Sequence, residues 1–330
     1  MSRIAILGAG AWGTALALSL ARRGGHQICL WSHSAALADQ LTEAGQNLPY
    51  LPGFTLPVDI DITADLPRAI FEADVLLCVT PSQHLRDVIT QIAPLLTKNQ
   101  IVLSASKGLE ETTFLRMSQL VASVTNNPFA VLSGPSFAQE VAAGMPTAVV
   151  VASATPQIAQ TVQRDFTSST FRVYTNDDVA GVEFGGALKN VIALAAGIAT
   201  GLNLGHNSSA ALITRGIAEI TRLAVACGGR RQTLAGLSGI GDLVLTCTGA
   251  LSRNRSVGIE LGKGRQLPDI LAGLNGKVAE GVRSTAAALG LAARYDVEMP
   301  IAEQMDAILH HNKSPKDAIR DLMSRPGRDE

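Results

Sequence analysis

The sequence has almost no net charge and no dense cluster of basic residues. Its 330 residues include 27 Lys and Arg and 28 Asp and Glu, which leaves a formal net charge of −1. No basic run is longer than the pairs Arg22-Arg23 and Arg230-Arg231. Binding to nucleic acid or to an anionic membrane surface requires a larger basic patch. We therefore expect no nucleic-acid partner, and any bound phosphate must be held by a local arrangement.

Cysteines are few and stand far apart. The four, Cys29, Cys78, Cys227 and Cys247, form no CxxC pair. Cys29 and Cys78 lie inside apolar runs, where a cysteine usually serves as a small buried hydrophobic residue. This usage favours a reducing, cytoplasmic location.

Features of secreted, membrane and metal-dependent proteins are also missing. The N-terminal stretch enters a glycine-rich turn without the apolar region of about 7 to 15 residues that a signal peptide needs. The charge-free stretch 141–163 is interrupted by Pro146 and Pro156, which argues against a membrane span. Among six histidines, the adjacent pair His310-His311 is typical of a solvated helix end. We expect a soluble protein without a bound metal.

Length and apolar patterning favour two folded domains. Hydrophobic residues make up 47% of the chain, and the length corresponds to about two domains of roughly 150 residues. Apolar runs predict strands at 3–7, 27–31, 73–80, 101–105 and 129–132, a sheet extension at 147–152 and 171–174, and a helix at 13–23. Strands of this kind that alternate with helices predict a parallel sheet covered on both faces. Helical patterning dominates from about Val179, so the predicted domains are 1–178 and 179–330.

A glycine-rich motif follows the first predicted strand directly. Gly8-Ala9-Gly10-Ala11-Trp12-Gly13 matches GxGxxG and opens a helix. In that motif Gly8 makes the tight turn, Gly10 lets a pyrophosphate approach the backbone, and Gly13 lets helix and strand pack closely. A purely structural glycine turn is the alternative. The predicted fold class is α/β, with an N-terminal Rossmann-like doubly wound parallel sheet followed by an all-α C-terminal domain.

The second predicted strand ends without the carboxylate that is typical of sites preferring NAD. That strand ends at Trp31, and Ser32-His33 follow. An Asp or Glu at this point would bond the ribose 2′-hydroxyl and repel a 2′-phosphate. Ser32 could bond such a phosphate and His33 could stack or donate, although His33 is equally compatible with a surface loop. We expect either NADPH or NADH to bind, with NADPH accepted at least as well.

Short loops after the later strands supply further candidate ligands. Lys107 and the segment Ser133-Gly134-Pro135-Ser136-Phe137-Ala138 follow two of these strands. The carboxyl ends of parallel strands share one edge of the sheet, where ligands bind. Lys107 could reach a substrate there, or it could be an ordinary exposed lysine.

In the second half, Lys189 interrupts an Ala- and Gly-rich apolar helix. Desolvating a lysine is costly unless it is paired or has a chemical role. Glu183 lies six positions away, which is a poor spacing for a helical pair. Burial and nearby cations would lower the pKa of a lysine toward the range useful for proton transfer. Lys189 is therefore our candidate proton donor, with a snorkelling lysine at a helix edge as the alternative.

Two further segments complete the candidate site. Asp242 stands in a glycine-rich turn before an apolar run, where it could cap a helix or orient Lys189. Ser252 is a plausible N-cap, followed by Arg253, Asn254 and Arg255 in the first turn. Cations are unfavourable at a helix N-terminus, so this pattern favours a phosphate bound there by amides and an arginine fork. A solvated basic turn is the alternative.

These pieces together make the chain similar to the bacterial NAD(P)-dependent glycerol-3-phosphate dehydrogenase family. The resemblance extends from the first strand almost to the end. The matching blocks are GAGAWGTAL at Gly8, SKGLE at Ser106, SGPSFAQEVAAGMPTA at Ser133, GGALKNVIALAAGI at Gly185, ALITRGIAEI at Ala211, GLSGIGDLVLTCTGALSRNR at Gly236 and VAEGVRST at Val278.

The resemblance implies reduction of dihydroxyacetone phosphate to sn-glycerol 3-phosphate, which supplies phospholipid synthesis. It implies that Lys189 donates and accepts the proton, and that Lys107 and Asp242 assist it. The implied substrate residues are Lys107, Gly134, Ser136, Lys189, Asp242, Ser252, Arg253 and Asn254. The implied cofactor residues are Gly8, Gly10, Ala11, Trp12, Gly13, His33, Lys107, Ala138, Arg253, Val278 and Glu280. Ala11 stands where the family often has a hydroxyl residue, so one side-chain bond to the pyrophosphate is missing.

Two other functions remain open at this point. A 3-hydroxyacid dehydrogenase of the 6-phosphogluconate type also joins a dinucleotide domain to a helical one. A non-catalytic NADPH-sensing protein could keep the fold without the chemistry. A homodimer is compatible with the sequence, which does not define the oligomeric state.

Overall fold

The computed structural model describes residues 1–274 and 279–327, and the chain divides into two compact units. The first unit comprises Met1–Lys107 and Leu115–Glu183. The second comprises Gly108–Phe114 and Phe184–Glu330. The chain thus leaves the first unit directly after Lys107, contributes seven residues to the second unit, and returns.

The first unit is built on an eight-stranded sheet with a separate two-stranded sheet. The strands are β1 (Ser2–Leu7), β2 (His26–Trp31), β3 (Gln46–Asn47), β4 (Leu51–Thr55), β5 (Ile60–Thr63), β6 (Val75–Cys78), β7 (Ile101–Ser104), β8 (Phe129–Ser133), β9 (Thr147–Ala152) and β10 (Phe171–Asn176). The large sheet has the order β10-β9-β8-β7-β6-β1-β2-β5, and β3 pairs with β4. The chain order reverses between β1 and β6, which is the topological switch point where doubly wound sheets bind ligands.

Six neighbouring strands of the large sheet, from β8 to β5, run parallel to one another, and β9 and β10 run in the opposite direction. Strand β9 pairs antiparallel with β8, and β10 is parallel to β9. Residues 147–152 and 171–174 therefore extend the sheet as expected, but with reversed direction. The connection from β8 to β9 contains only a five-residue helix, whereas parallel neighbours are usually joined by a longer helical crossover. The fold class predicted from the sequence is confirmed, with this antiparallel addition at one edge.

Seven α-helices of the first unit cover the sheet. They are α1 (Ala11–Arg23), α2 (Ala35–Ala44), α3 (Leu66–Ile70), α4 (Leu85–Ile92), α5 (Met117–Ala122), α6 (Ala138–Ala142) and α7 (Pro156–Phe166). Alternate residues of β1 contribute to different cores, since side chains along a strand point to opposite faces. Ile4 and Ile6 belong to one apolar cluster, and Ala5 and Leu7 belong to another. A central strand buried on both faces explains why the whole run is apolar.

The described part of the second unit is helical. Helix α8 (Val179–Gly201) enters from the first unit, and the remaining helices are α9 (Gly205–Ala226), α10 (Arg231–Leu234), α11 (Asp242–Thr248), α12 (Arg253–Gly262), α13 (Leu267–Ala272), α14 (Glu280–Arg294), α15 (Pro300–His310) and α16 (Pro315–Met323). Helix α8 is long and apolar enough to span a membrane, but 94% of its apolar window is buried inside the protein. This burial is typical of the core helix of a soluble protein.

Helices α8 and α12 pack with their backbones almost in contact. A Cβ atom at Gly197 would lie 2.1 Å from the carbonyl oxygen of Arg255. A Cβ atom at Gly258 would lie 2.1 Å from the carbonyl oxygen of Leu194. Only glycine permits this approach, so these two positions place α12 directly against the central helix.

The segment Gly108–Phe114 is anchored within the second unit by apolar and cationic contacts. Leu109 belongs to the apolar core of that unit. The Phe114 ring packs on Gly290, where a Cβ atom would lie 2.3 Å from the ring. Arg294 stacks on the Phe114 ring with its guanidinium carbon 4.5 Å from the centroid. These contacts tie the chain that follows Lys107 to helix α14.

Candidate active site

The GxGxxG turn has the geometry that a dinucleotide requires. Gly8 has φ +131°, and a Cβ atom there would lie 2.8 Å from the carbonyl oxygen of Val79, at the end of β6. A Cβ atom at Gly13 would lie 1.9 Å from the carbonyl oxygen of Gly8. At Gly10 a Cβ atom would meet nothing within 4 Å. The first and third glycines are therefore required by packing, whereas the second leaves open space beside the helix N-terminus.

Polar groups at the same edge of the sheet fit a bound cofactor. Among the described residues, Trp12 Nε1, Thr80 Oγ1, Ser104 Oγ and Ser133 Oγ are buried and have no hydrogen-bond partner. Buried polar groups are rarely left unsatisfied. Trp12 begins α1, and the three hydroxyls stand at or just beyond the carboxyl ends of β6, β7 and β8. This arrangement fits a ligand or ordered water at the edge where a dinucleotide binds.

The Ser32 side chain is buried in the turn that follows β2. Its side chain is 1% exposed, and its hydroxyl donates to the carbonyl oxygen of Ser34 at 3.0 Å. Ser34 in turn caps α2 by accepting from the Leu37 amide. The Ser32 hydroxyl also accepts from the Ser34 amide at 3.2 Å, so it would have to give up bonds inside the turn to bond a 2′-phosphate. His33 is exposed.

Three of the predicted substrate residues in the first unit meet at one carbonyl group. Lys107 Nζ donates to the carbonyl oxygen of Gly134 at 3.1 Å, and Ser136 Oγ donates to the same oxygen at 3.0 Å. Gly134 has φ +136°, a conformation that favours glycine. Ala138 begins α6, whose last carbonyls accept from Arg22. Lys107 thus lies close to Gly134 and Ser136 in the fold, although 27 positions separate it from Gly134 in the sequence.

The candidate proton donor is buried and paired. Lys189 is 7% exposed, and its Nζ donates to Asp242 Oδ1 at 2.5 Å and to Thr246 Oγ1 at 2.9 Å. Asp242 is fully buried, and the Thr246 hydroxyl donates to the Asp242 carbonyl oxygen at 2.7 Å. Thr246 lies one helical turn after Asp242, so both face the same lysine. Sequence reasoning identified Lys189 and Asp242 but missed Thr246.

A π-helical turn brings Asp242 to this position. Residues Leu237–Gly241 form one turn of π-helix directly before α11, a feature that is frequent at functional sites. A Cβ atom at Gly185, one turn before Lys189, would lie 2.2 Å from the carbonyl oxygen of Ser238. Helix α8 therefore touches the backbone of the π-helical turn, and the short distance between the two elements lets Lys189 reach Asp242.

Glu183 is not the partner of Lys189. Its carboxylate accepts from Arg116 Nη1, from the Ser118 amide at 2.7 Å and from Ser118 Oγ at 2.7 Å. Burial raises the pKa of Glu183, and the bonds from Arg116 and Ser118 oppose that rise. This carboxylate links the start of α8 to α5, and Lys189 pairs with Asp242 instead.

The first turn of α12 is arranged as the sequence predicts, with one added contact. Ser252 caps the helix by accepting from the Arg255 amide at 3.2 Å. Arg253 is exposed, and no ion pair of its guanidinium is found within residues 1–274 and 279–327. Asn254 is 8% exposed, and its Oδ1 accepts from the Gly281 amide at 3.0 Å. The Asn254 side chain thus orients the start of α14 through its oxygen.

Helix α14 begins beside Lys189. A Cβ atom at Gly281 would lie 2.6 Å from the carbonyl oxygen of Asn190, so the helix start packs on α8 one residue from Lys189. Glu280 is the first residue of α14. Val278, which the resemblance assigns to the cofactor, lies outside the described residues. The second unit therefore brings Lys189, Asp242, Asn254 and Glu280 into one region, with Gly281 as a contact that sequence reasoning missed.

A doubly wound sheet with an open glycine turn at its switch point is the architecture of a dinucleotide-binding protein. Comparison with known proteins gives the family. The model for the N-terminus of NAD-dependent glycerol-3-phosphate dehydrogenase matches residues 3–159, and that for the C-terminus matches residues 178–320. The chain belongs to this family, as the resemblance indicated.

Similar proteins cover the chain from end to end. A protein of Acidobacterium capsulatum named glycerol-3-phosphate dehydrogenase (NAD(P)+) is 61% identical over 338 residues, covering 100% of both chains. A protein of the same name from Koribacter versatilis is 56% identical, covering 99% of this chain and 98% of its own. A crystal structure of glycerol-3-phosphate dehydrogenase from Coxiella burnetii matches with a TM-score of 0.94 and 42% identity, over 98% of this chain and 99% of that one. These matches confirm the predicted family, fold class and use of NAD or NADP.

Proposed function

We propose that this protein reduces dihydroxyacetone phosphate to sn-glycerol 3-phosphate, reversibly, with NADPH or NADH. The observation that carries the proposal is the buried contact of Lys189 with Asp242 and Thr246, in a chain that belongs to the glycerol-3-phosphate dehydrogenase family. Residues 1–178, apart from Gly108–Phe114, which pack in the second unit, act as the dinucleotide-binding domain, and residues 179–330 act as the substrate-binding domain.

The cofactor is held by backbone groups at the glycine turn. The amides at the start of α1 have no partner inside the helix and favour an anion, and the open side of Gly10 leaves room for the pyrophosphate. The residues assigned to the cofactor are Gly8, Gly10, Ala11, Trp12, Gly13, His33, Lys107, Ala138, Arg253, Val278 and Glu280. Bound NAD(P)H supplies the hydride in reduction.

NADPH is accepted at least as well as NADH. The residues after β2 carry no carboxylate that would repel a 2′-phosphate, and exposed His33 can donate to one or stack beside it. Because the Ser32 hydroxyl bonds Ser34, His33 alone of this pair is assigned to cofactor recognition. A specificity constant much larger for NADH than for NADPH would contradict this assignment.

Lys189 donates the proton that the substrate oxygen takes up as the carbonyl becomes an alcohol. A charged ammonium group beside that oxygen stabilises the negative charge that develops during reduction. The Asp242 carboxylate and the Thr246 hydroxyl hold Nζ in one direction, so little reorganisation is needed when the proton moves. In the reverse reaction Lys189 takes the proton from the alcohol, and Asp242 stabilises the lysine in its charged form.

The phosphate of the substrate is held away from the reacting carbon. Arg253 provides an exposed guanidinium fork at the start of α12, and Ser252 and Asn254 stand on either side of it. Charge-assisted bonds of this kind contribute about 1.5 to 3 kcal/mol each. Lys107, Gly134 and Ser136 complete the assigned substrate residues. Binding energy from the phosphate thereby orients the carbonyl for reaction.

We further propose that the enzyme acts in the cytoplasm and supplies the backbone of glycerophospholipids. Support comes from its four free cysteines, three of them buried, and from the burial of its most apolar helix. Cells that lack the gene should require added glycerol 3-phosphate for growth. Growth at the normal rate without it, in cells with no second enzyme of this activity, would contradict the proposed role.

Replacing the lysine tests the proposed chemistry. Lys189→Met should lower kcat by at least about a hundredfold, because proton transfer by a placed group contributes about 10²- to 10⁴-fold, while NADPH still binds. Since this change leaves Asp242 buried without its cation, the double variant Lys189→Met/Asp242→Asn should be measured beside it. Lys263→Met is the matched control, because Lys263 is exposed and pairs with Glu260. Normal turnover in a folded Lys189 variant would refute the role.

A further inference from the structure

Asn47 is buried, and its side chain reaches the glycine turn from a different sheet. It lies in β3 and is 0% exposed. Its Nδ2 group donates to the carbonyl oxygen of Ala9 at 3.0 Å and to Thr14 Oγ1 at 2.7 Å. Its Oδ1 accepts from the Tyr50 amide at 3.2 Å. One side chain thus joins the two-stranded sheet to the turn and to helix α1.

The two groups that accept from Asn47 flank the proposed pyrophosphate site. Ala9 stands between the first two glycines of the motif, and Thr14 N makes the first helical hydrogen bond of α1, to the Gly10 carbonyl oxygen at 3.0 Å. Gly10 is the N-cap residue of α1 and has no side chain to cap the helix. Asn47 therefore supplies the side-chain contact that holds the turn against the helix.

The contact with Ala9 sets the direction of one anion-binding amide. A trans peptide is planar, so its C=O and N–H groups point in opposite directions. The peptide that carries the Ala9 carbonyl also carries the Gly10 N–H. When Asn47 holds the carbonyl oxygen, the Gly10 N–H must point away from Asn47. Gly10 is partly exposed, whereas Ala9 is buried.

We infer that Asn47 is a positioning residue for the dinucleotide, which fixes the Ala9-Gly10 peptide so that the free amides at the start of α1 meet the pyrophosphate. The inference rests on the proposed binding of NADPH at the glycine turn. Without the two hydrogen bonds that Asn47 donates, the Ala9-Gly10 peptide can rotate. Part of the binding free energy of the cofactor is then used to fix this peptide, so the affinity falls. Asn47 does not touch the reacting atoms.

The test removes both donors with a neutral side chain of similar size, so that no charge is added beside the pyrophosphate. Asn47→Leu should raise the Kd for ADP-ribose and for NADPH about tenfold or more, because the loss of a buried hydrogen bond is worth about a factor of ten. ADP-ribose carries the pyrophosphate without the nicotinamide. The KM for NADPH should rise by a similar factor, while the KM for dihydroxyacetone phosphate changes less than about twofold.

Asn127 provides a matched control at the opposite edge of the sheet. Its Nδ2 donates to the carbonyl oxygens of Thr97 and Gln100 at 2.7 and 3.0 Å, and its Oδ1 accepts from Thr125. It also joins loops through one amide, but it precedes β8 and lies far along the strands from their carboxyl ends. Asn127→Leu should lower the melting temperature and leave the Kd for ADP-ribose within about twofold of the wild type.

Thr14→Val is the second test, for use if Asn47→Leu does not fold. It removes one acceptor of the Asn47 amide and keeps the size and branching of the side chain, so the Kd for ADP-ribose should rise a few-fold in a folded protein. An unchanged Kd in folded Asn47→Leu, or in Thr14→Val where the first does not fold, would overturn the inference. A wild-type protein that fails to bind NADPH and ADP-ribose would instead refute the proposed function.

Discussion

The stability of the second unit should fall with rising pH because of one buried carboxyl group. Glu219, on α9, is 2% exposed and accepts from the amides of Ile301 and Ala302 at 2.8 and 3.4 Å. These amides belong to the first turn of α15, where Pro300 has no N–H to offer. Burial raises the pKa of Glu219 from 4.5 to about 7, despite the two amide bonds.

The size and the sign of the effect follow from this pKa. Between pH 4.5 and pH 7 the folded protein keeps a proton on Glu219 that the unfolded chain has lost. The stabilisation from this group is therefore full below pH 4.5 and is lost as the pH rises to about 7. Since one pKa unit corresponds to about 1.4 kcal/mol, the total loss is about 3 kcal/mol, most of which falls between about pH 5 and pH 8.

Replacing Glu219 by its neutral isostere removes this dependence. The free energy of unfolding in urea should be measured for the wild type and for Glu219→Gln at pH 5 and pH 8, with Glu43→Gln as an exposed control. The stability of Glu219→Gln relative to the wild type should increase by about 2 to 3 kcal/mol from pH 5 to pH 8. The control should show no such change. A difference between Glu219→Gln and the wild type that does not vary with pH would refute the reasoning.

Three further results are expected. Arg253→Ala should raise the KM for dihydroxyacetone phosphate at least about tenfold, and an unchanged KM would count against its phosphate role. Gly290→Ala should lower stability by about 1 to 3 kcal/mol through its clash with Phe114, measured by urea unfolding beside Gly273→Ala, whose Cβ would make only ordinary contacts. Burial raises the pKa of Cys29, Cys78 and Cys247 to about 12. At pH 8 a thiol reagent should therefore label at most Cys227 quickly in the native protein. Rapid labelling of two or more thiols would contradict this prediction.

Local patterns were sufficient to predict the central part of the sheet. The apolar run of β1, the glycine turn and the start of α1 follow one another within the first residues of the chain, and each has a strong local signature. The direction of β9 and β10 could not be predicted in this way, because it depends on how the chain connects across the sheet edge. The two residues of β3 carry no periodicity that could be recognised, and the role of Asn47 was missed with them.

The candidate site was predicted in part for a similar reason. Lys189 stands out because a charge interrupts an apolar helix, but its contact with Asp242 spans 53 positions and rests on the close approach of Gly185 to Ser238. Thr246 has no feature of its own in the sequence. The local bonds of the Ser32 hydroxyl with Ser34 could not be predicted from the sequence, because they depend on the geometry of the turn after β2. The placement of Gly108–Phe114 in the second unit depends on long-range packing of Leu109 and Phe114, which no local pattern contains.

The most direct test of the proposed reaction is the loss of NADPH absorbance when the purified protein meets dihydroxyacetone phosphate. Parallel assays should use NADH as the cofactor and unphosphorylated dihydroxyacetone as the ketone. We expect rapid oxidation with the phosphorylated ketone, little with the unphosphorylated one, and activity with NADPH at least equal to that with NADH. A protein that binds NADPH but does not oxidise it with dihydroxyacetone phosphate would contradict the account.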